Sequence, residues 1–191
     1  MALLRANFEE LLTRIRYGRE LQDASFEPVY YLIFAPQEIL EVKRELPAWT
    51  SRLQGEGFAV QRFSMAEQIA EILQTPSKLR TLWLAADRRA PLAWEKSNQA
   101  MANVLTSGVL LARLKASLDA QCGQRNAMLL ITDLEALHPY LRIGALENLL
   151  AGSFCVPTII FYPGKRTGKT RLKFLGFYPE DGNYRSVHVG G

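Results

Sequence analysis

Thr158-Ile-Ile-Phe-Tyr-Pro-Gly164-Lys-Arg-Thr-Gly168-Lys169-Thr170-Arg-Leu-Lys-Phe-Leu-Gly-Phe177 holds the choice between two folds. Its middle imitates the phosphate loop of an ATPase, which must follow a strand and open a helix. The spacing is wrong. Such a loop has four residues between its first glycine and the Gly-Lys pair; here Gly164 and Gly168 enclose three, and Pro163 stands where the first glycine belongs. Beyond Lys169 the chain alternates, with Leu172 and Phe174 predicted inward and Arg171 and Lys173 outward. A phosphate loop holds its anion with backbone N–H groups at a helix N-terminus. A strand supplies none, so the stretch reads as two strands joined by a basic loop.

Working upstream, Ala127-Met-Leu-Leu-Ile-Thr132 is a second apolar, β-rich run, and Val29-Tyr-Tyr-Leu-Ile-Phe34 a third. Continuous apolar strands of this kind belong to parallel sheets covered on both faces. Helical spacing of Leu4, Phe8, Leu11, Leu12 and Ile15 predicts an N-terminal helix within residues 1–22. A helix from Pro36 to Leu53, broken or kinked at Pro47, leads to a strand over Phe58–Phe63. This is a βαβ unit and implies parallel pairing. Residues 65–74 and 77–122 read as helical, interrupted near Pro91 and at Gly108. A helix over Tyr140–Leu150 precedes the strand Val156–Tyr162. The C-terminal strands of 158–191 continue with Leu172–Phe177 and Tyr184–Val189, joined by the turn Pro179–Gly182. The expectation is one α/β domain over 1–191 in three layers: a largely parallel sheet, helices on both faces and an antiparallel C-terminal edge.

Composition narrows the function class. At 191 residues and 48% apolar content the chain builds one core, and its net charge of +4 is modest. Lys165, Arg166, Lys169, Arg171 and Lys173 concentrate positive charge as a candidate contact for DNA or an acidic protein surface. Cys122 and Cys155 are too few for a disulfide framework and read as reduced thiols, Cys155 buried beside Val156. No signal peptide or spanning run is apparent, which places the chain in the cytoplasm, away from membranes. The two His lie far from metal-ligand spacing, and no cofactor motif appears.

One enzyme-like feature remains. The apolar strand ending in Asp133-Leu-Glu135 presents its acids as the metal-binding strand of an ATPase does. The order of elements is ATPase-like as well. Yet the turn after the first strand, Phe34-Ala-Pro-Gln-Glu-Ile39, has no glycine and no suitably placed lysine. Asp133 and Glu135 are therefore read as capping the next helix, and His138 as a structural hydrogen-bonding partner in the same polar cluster. No side chains form a catalytic set. A degenerate nucleotide-binding role is the third-ranked alternative.

Several motifs together carry a resemblance. They are Pro28-Val-Tyr-Tyr-Leu-Ile-Phe34, the Arg-Glu-Leu-Pro47 step, Thr132, Pro139-Tyr-Leu-Arg142 and Leu-Glu-Asn-Leu-Leu150. The most specific are Tyr162-Pro163-Gly164, the Leu172–Gly176 strand and Asn183-Tyr184-Arg185. Over essentially its whole length the chain resembles the BrxB family of bacterial BREX phage-defence systems. Asp133, Glu135 and the basic Lys165–Lys169 loop depart from that family's usual pattern. The resemblance implies a non-catalytic adaptor that docks the alkaline-phosphatase-like PglZ protein. The ATPase BrxC and the DNA methyltransferase PglX are further partners it implies. Sequence-independent DNA binding through the basic loop is the alternative.

Overall fold

The computed structural model describes residues 2–20, 27–74, 77–168, 171–181 and 186–191. Five strands run parallel: β1 (Val29–Phe34), β2 (Ala59–Ser64), β3 (Ala127–Thr132), β4 (Thr158–Arg166) and β7 (Val187–Gly190). Their spatial order is β2-β3-β4-β1-β7. The βαβ unit thus forms without direct pairing, because β3 and β4 lie between β1 and β2. Two short strands, β5 (Leu172–Phe174) and β6 (Glu180–Asp181), extend the far end of β4 antiparallel. The antiparallel part is therefore an outgrowth of β4. The last strand lies parallel beside β1, matching Tyr31 to His188.

Alternation along each strand divides the core. Tyr30, Leu32, Phe34, Met128, Leu130, Ile159 and Phe161 face α1 (Ala2–Glu20) and α2 (Ile39–Gly55). Tyr31, Ile33, Leu129, Ile131, Ile160 and Tyr162 face the opposite layer. That layer holds α3 (Met65–Gln74), α5 (Trp94–Thr106), α6 (Val109–Gln121) and α7 (Ile143–Leu149). Phe8 stacks on Trp49 at 4.5 Å, joining α1 to α2, and Trp49 stacks on Phe161 at 6.0 Å. Each fully buried side chain of this size contributes about 1.5–3 kcal/mol by leaving water.

Proline and glycine act where the sequence places them, with one exception. Gly108 adopts a left-handed conformation, φ 95°, and starts α6. Pro91 lies between α4 (Ser77–Arg89) and α5. Pro47 does not break α2, which runs through it from Ile39 to Gly55 after a 3-10 turn over Pro36–Glu38. A proline costs the helix one hydrogen bond, and α2 offsets that loss by burying Val42, Leu46, Trp49 and Leu53.

The cysteine expectation is corrected. Cys122 and Cys155 are joined as a disulfide with a Cα–Cα distance of 5.6 Å, and both are exposed. Cys122 precedes β3 and Cys155 precedes β4. These strands are parallel neighbours, so their starting ends lie side by side.

Candidate functional site

Ligands of open α/β sheets bind at the carboxyl ends of the strands. At that end of this sheet, β1 closes with Phe34, β2 with Ser64 and β3 with Thr132-Asp133. Asp133 sits in the left-handed region, φ 60° and ψ 38°, which aspartate tolerates better than most residues. Its side chain caps nothing. Instead Oδ2 accepts hydrogen bonds from the Ser64 hydroxyl at 2.6 Å and the Thr132 hydroxyl at 2.8 Å. Lys43 reaches over from α2, its Nζ 3.0 Å from Asp133 Oδ1 and 2.6 Å from Glu135 Oε1. The capping role expected for these acids is thereby replaced by an internal ion pair.

The titration behaviour follows this geometry. Burial pushes the Asp133 carboxyl up, but hydrogen bonds from Ser64, Lys43 and Thr132, with the lysine charge, outweigh it and hold the carboxyl below its ordinary range. Burial likewise pulls the Lys43 ammonium down, and its bonds to Glu135 and Asp133 raise it again. The pair is charged at neutral pH.

A phosphate would need free N–H groups in the turn after β1. Ala35 N–H already donates to Glu38 Oε2 at 2.8 Å, and Pro36 has none. The hollow beside Lys43, lined by Phe34, Val42, Asp133 and Phe161, measures about 20 Å³. That is room for about one water molecule. Chemically the site can hold a proton balance and tie α2 to β3.

His138 is not part of this cluster. Its Nδ1 pairs with the Tyr178 hydroxyl, and its ring meets Phe177 and Tyr178 edge-on at 5.5 and 5.4 Å. The Arg142 guanidinium lies 5.8 Å from the centre of the Tyr178 ring. Among the described residues no group of His, Cys, Asp and Glu is arranged to hold a metal ion.

The basic stretch forms the hairpin expected of it. Lys165, Arg166 and Arg171 are exposed and Lys173 is half-buried, while Leu172 and Phe174 are buried. Arg171 lies 3.6 Å from Glu180 on β6, which neutralises part of the run. Lys169 is outside the described residues, as are Asn183, Tyr184 and Arg185. Tyr162, Pro163 and Gly164 have a packing role. A Cβ on Gly164 would lie 2.4 Å from the Lys173 carbonyl and 2.6 Å from the Tyr162 ring. Gly176 takes φ 77°, which turns the chain out of β5.

Sequence reasoning missed a second polar group, inside the sheet's other face. Tyr31 donates its hydroxyl to Glu147 Oε2 and meets His188 edge-on at 5.3 Å. Burial, opposed by the Tyr31 hydrogen bond and reinforced by Glu27, raises the Glu147 carboxyl to about 7. Burial and then the Arg166 charge push His188 down to about 4. The available signal was Tyr31 itself, since a tyrosine in a strand buried on both faces needs a hydroxyl partner.

The family model described as BREX protein BrxB matches residues 62–189, more than half of the chain. The chain belongs to the BrxB family. The matched span begins within β2, so it includes Asp133, Glu135 and the C-terminal motifs but not Lys43. No curated protein and no solved structure matches the chain. Membership makes it a component of a BREX phage-defence system, in which other BREX proteins are its expected partners. No helix among the described residues is long and apolar enough to cross a membrane.

Proposed function

We propose that this BrxB protein is a non-catalytic adaptor that docks a PglZ-like protein into a BREX complex in the cytoplasm, with the BrxC ATPase and the PglX methyltransferase as further partners. One observation carries the reading. The sheet has ATPase-like order, yet the place of its nucleotide is filled by the protein's own groups, Lys43 against Asp133 and Glu135, and Glu38 on the Ala35 N–H. A fold persists as a binding platform when its site has gone, because function resides in the site. Co-purification with the PglZ-like protein tests the reading. Failure of the two to associate at micromolar concentration would overturn it.

A second reading, sequence-independent DNA binding, is favoured by one feature: Lys165, Arg166 and Arg171 all face solvent on one hairpin. Affinity must then fall steeply with salt, by about one logarithmic slope unit per phosphate contact. Binding with a flat salt response, or unchanged by replacing Lys165, Arg166, Lys169 and Arg171, would exclude it.

A further inference from the structure

The helix α4 breaks the rule that a surface helix buries one face. Among its side chains from Lys78 to Arg89, Trp83 alone is half-buried and the others are exposed. Leu79, Leu82 and Leu84 are exposed by 42, 63 and 48%, and beyond the helix Leu92 and Trp94 by 91 and 57%. The sheet does not need this helix as cover. Ile69, Ile72, Leu105 and Leu110 of α3, α5 and α6 already bury themselves in the core beneath it. The helix is nonetheless held in place, since Asp87 accepts a 2.6 Å hydrogen bond from Ser97 of α5. A groove of about 290 Å³ opens where α3, α4 and α5 meet. Its lining is mainly apolar, with Leu73, Trp83, Leu84 and Met101, and it also includes Arg80 and Asp87.

Charge identifies the occupant. Lys78, Arg80, Arg88 and Arg89 are all exposed on α4, and none takes part in an ion pair among the described residues. Asp87 is the helix's sole acid, and Ser97 engages it. From this surface we infer that the α4–α5 hairpin docks an amphipathic segment of a partner protein, one whose apolar residues recur at helical spacing and are flanked by Asp and Glu. Apolar anchors fill a groove of this kind while rim charges set orientation and encounter rate. A second copy of this chain fits badly. A two-fold contact sets the same patch against itself, and would oppose two copies of a helix whose exposed charge is mainly positive. A bilayer is flat and leaves the groove empty.

This inference deepens the adaptor reading and rests on it, but the two fail separately. The experiment measures binding of the full-length protein to the purified PglZ-like partner. It also measures binding to 20-residue peptides tiled across all proteins of the same BREX system. The expected result is that bound peptides are acidic and amphipathic, and compete with the full-length partner. Leu84→Asp and Arg80→Glu, both at residues that line the groove, should each weaken binding about tenfold or more. Because these side chains are exposed, the melting temperature should stay within about 2 °C of the parent. If the partner binds all variants equally, the docking surface is wrong and the adaptor reading stands. If the partner does not bind at all, the adaptor reading falls; if no peptide binds either, the surface falls with it. Two further results would overturn the inference in favour of another occupant, in each case with no peptide captured. One is self-association abolished by Leu84→Asp. The other is binding to vesicles containing phosphatidylglycerol.

Discussion

The carboxyl end of the sheet and the α4–α5 hairpin use the same kinds of residue to opposite ends. At the sheet, one lysine meets two carboxylates, the hydroxyls of Ser64 and Thr132 complete Asp133, and the space left holds about one water. At the hairpin, four cations and several leucines face solvent beside an open groove. The first place is filled by the chain itself; the second stands open to solvent. The usual ligand position of an open α/β sheet and the docking surface proposed above are therefore different places in this molecule.

Four measurements break or sharpen that contrast. The largest effect is expected in the core beneath the closed site. Phe161→Ala should cost about 3–5 kcal/mol in a denaturant titration, whereas Leu82→Ala should stay within about 0.5 kcal/mol. Equal losses would mean that the hairpin is part of the fold's support.

Next comes pH. Glu147 is raised from 4.5 to about 7, so the folded state holds a proton the unfolded chain has released. Its contribution is intact below pH 4.5, falls as pH rises, and is fully lost above pH 7. His188 runs the other way. Lowered from 6.5 to about 4, it is intact above pH 6.5 and loses stability as pH falls toward 4. The two slopes oppose each other in the overlapping window, so the parent protein should be nearly level there. Glu147→Gln should gain about 2 kcal/mol at pH 8, with the gain vanishing below pH 4.5. A gain independent of pH would show that charge is not its source.

The third effect is smaller. Lys43→Met leaves Asp133 half-buried without its cation, and because Lys43 is itself 45% exposed the cost should be only about 1 kcal/mol. Asp133 is held low, so its contribution is present above its ordinary value of 3.8 and lost as pH falls through its lowered one. The Lys43→Met variant should therefore lose stability at a higher pH on the acid side. The smallest effect is none: ATP with magnesium should not move the melting temperature. A saturable rise of more than about 2 °C would restore the nucleotide-binding alternative.

Much of the fold was legible because burial leaves a mark on composition. Val29–Phe34 and Ala127–Thr132 are apolar at every position because both faces are covered, and both strands form at those bounds. Gly108 and Pro91 divide the helical stretch because few residues adopt their backbone geometry. The partners of these elements were not legible. Val187–Gly190 is too short to say that its neighbour is β1, some 150 residues earlier in sequence. Lys43 looks like any helix-surface lysine until α2 is laid against β3. His138 looks adjacent to Asp133 in sequence, yet the turn sends its ring to Tyr178. The pattern of α4 announces a helix and is silent on whether anything covers it.

The place of β1 has a consequence for how the protein is made. Both its neighbours, β4 and β7, come from residue 158 onward. While the ribosome is still short of that point, Val29–Phe34 has two bare edges of unpaired backbone and no strand to join. Such edges are templates for intermolecular pairing, and segments exposed during synthesis are where chaperones act. The nascent chain thus carries a wholly apolar strand unprotected through most of translation, and expression yield will depend on whatever shields it until β4 arrives.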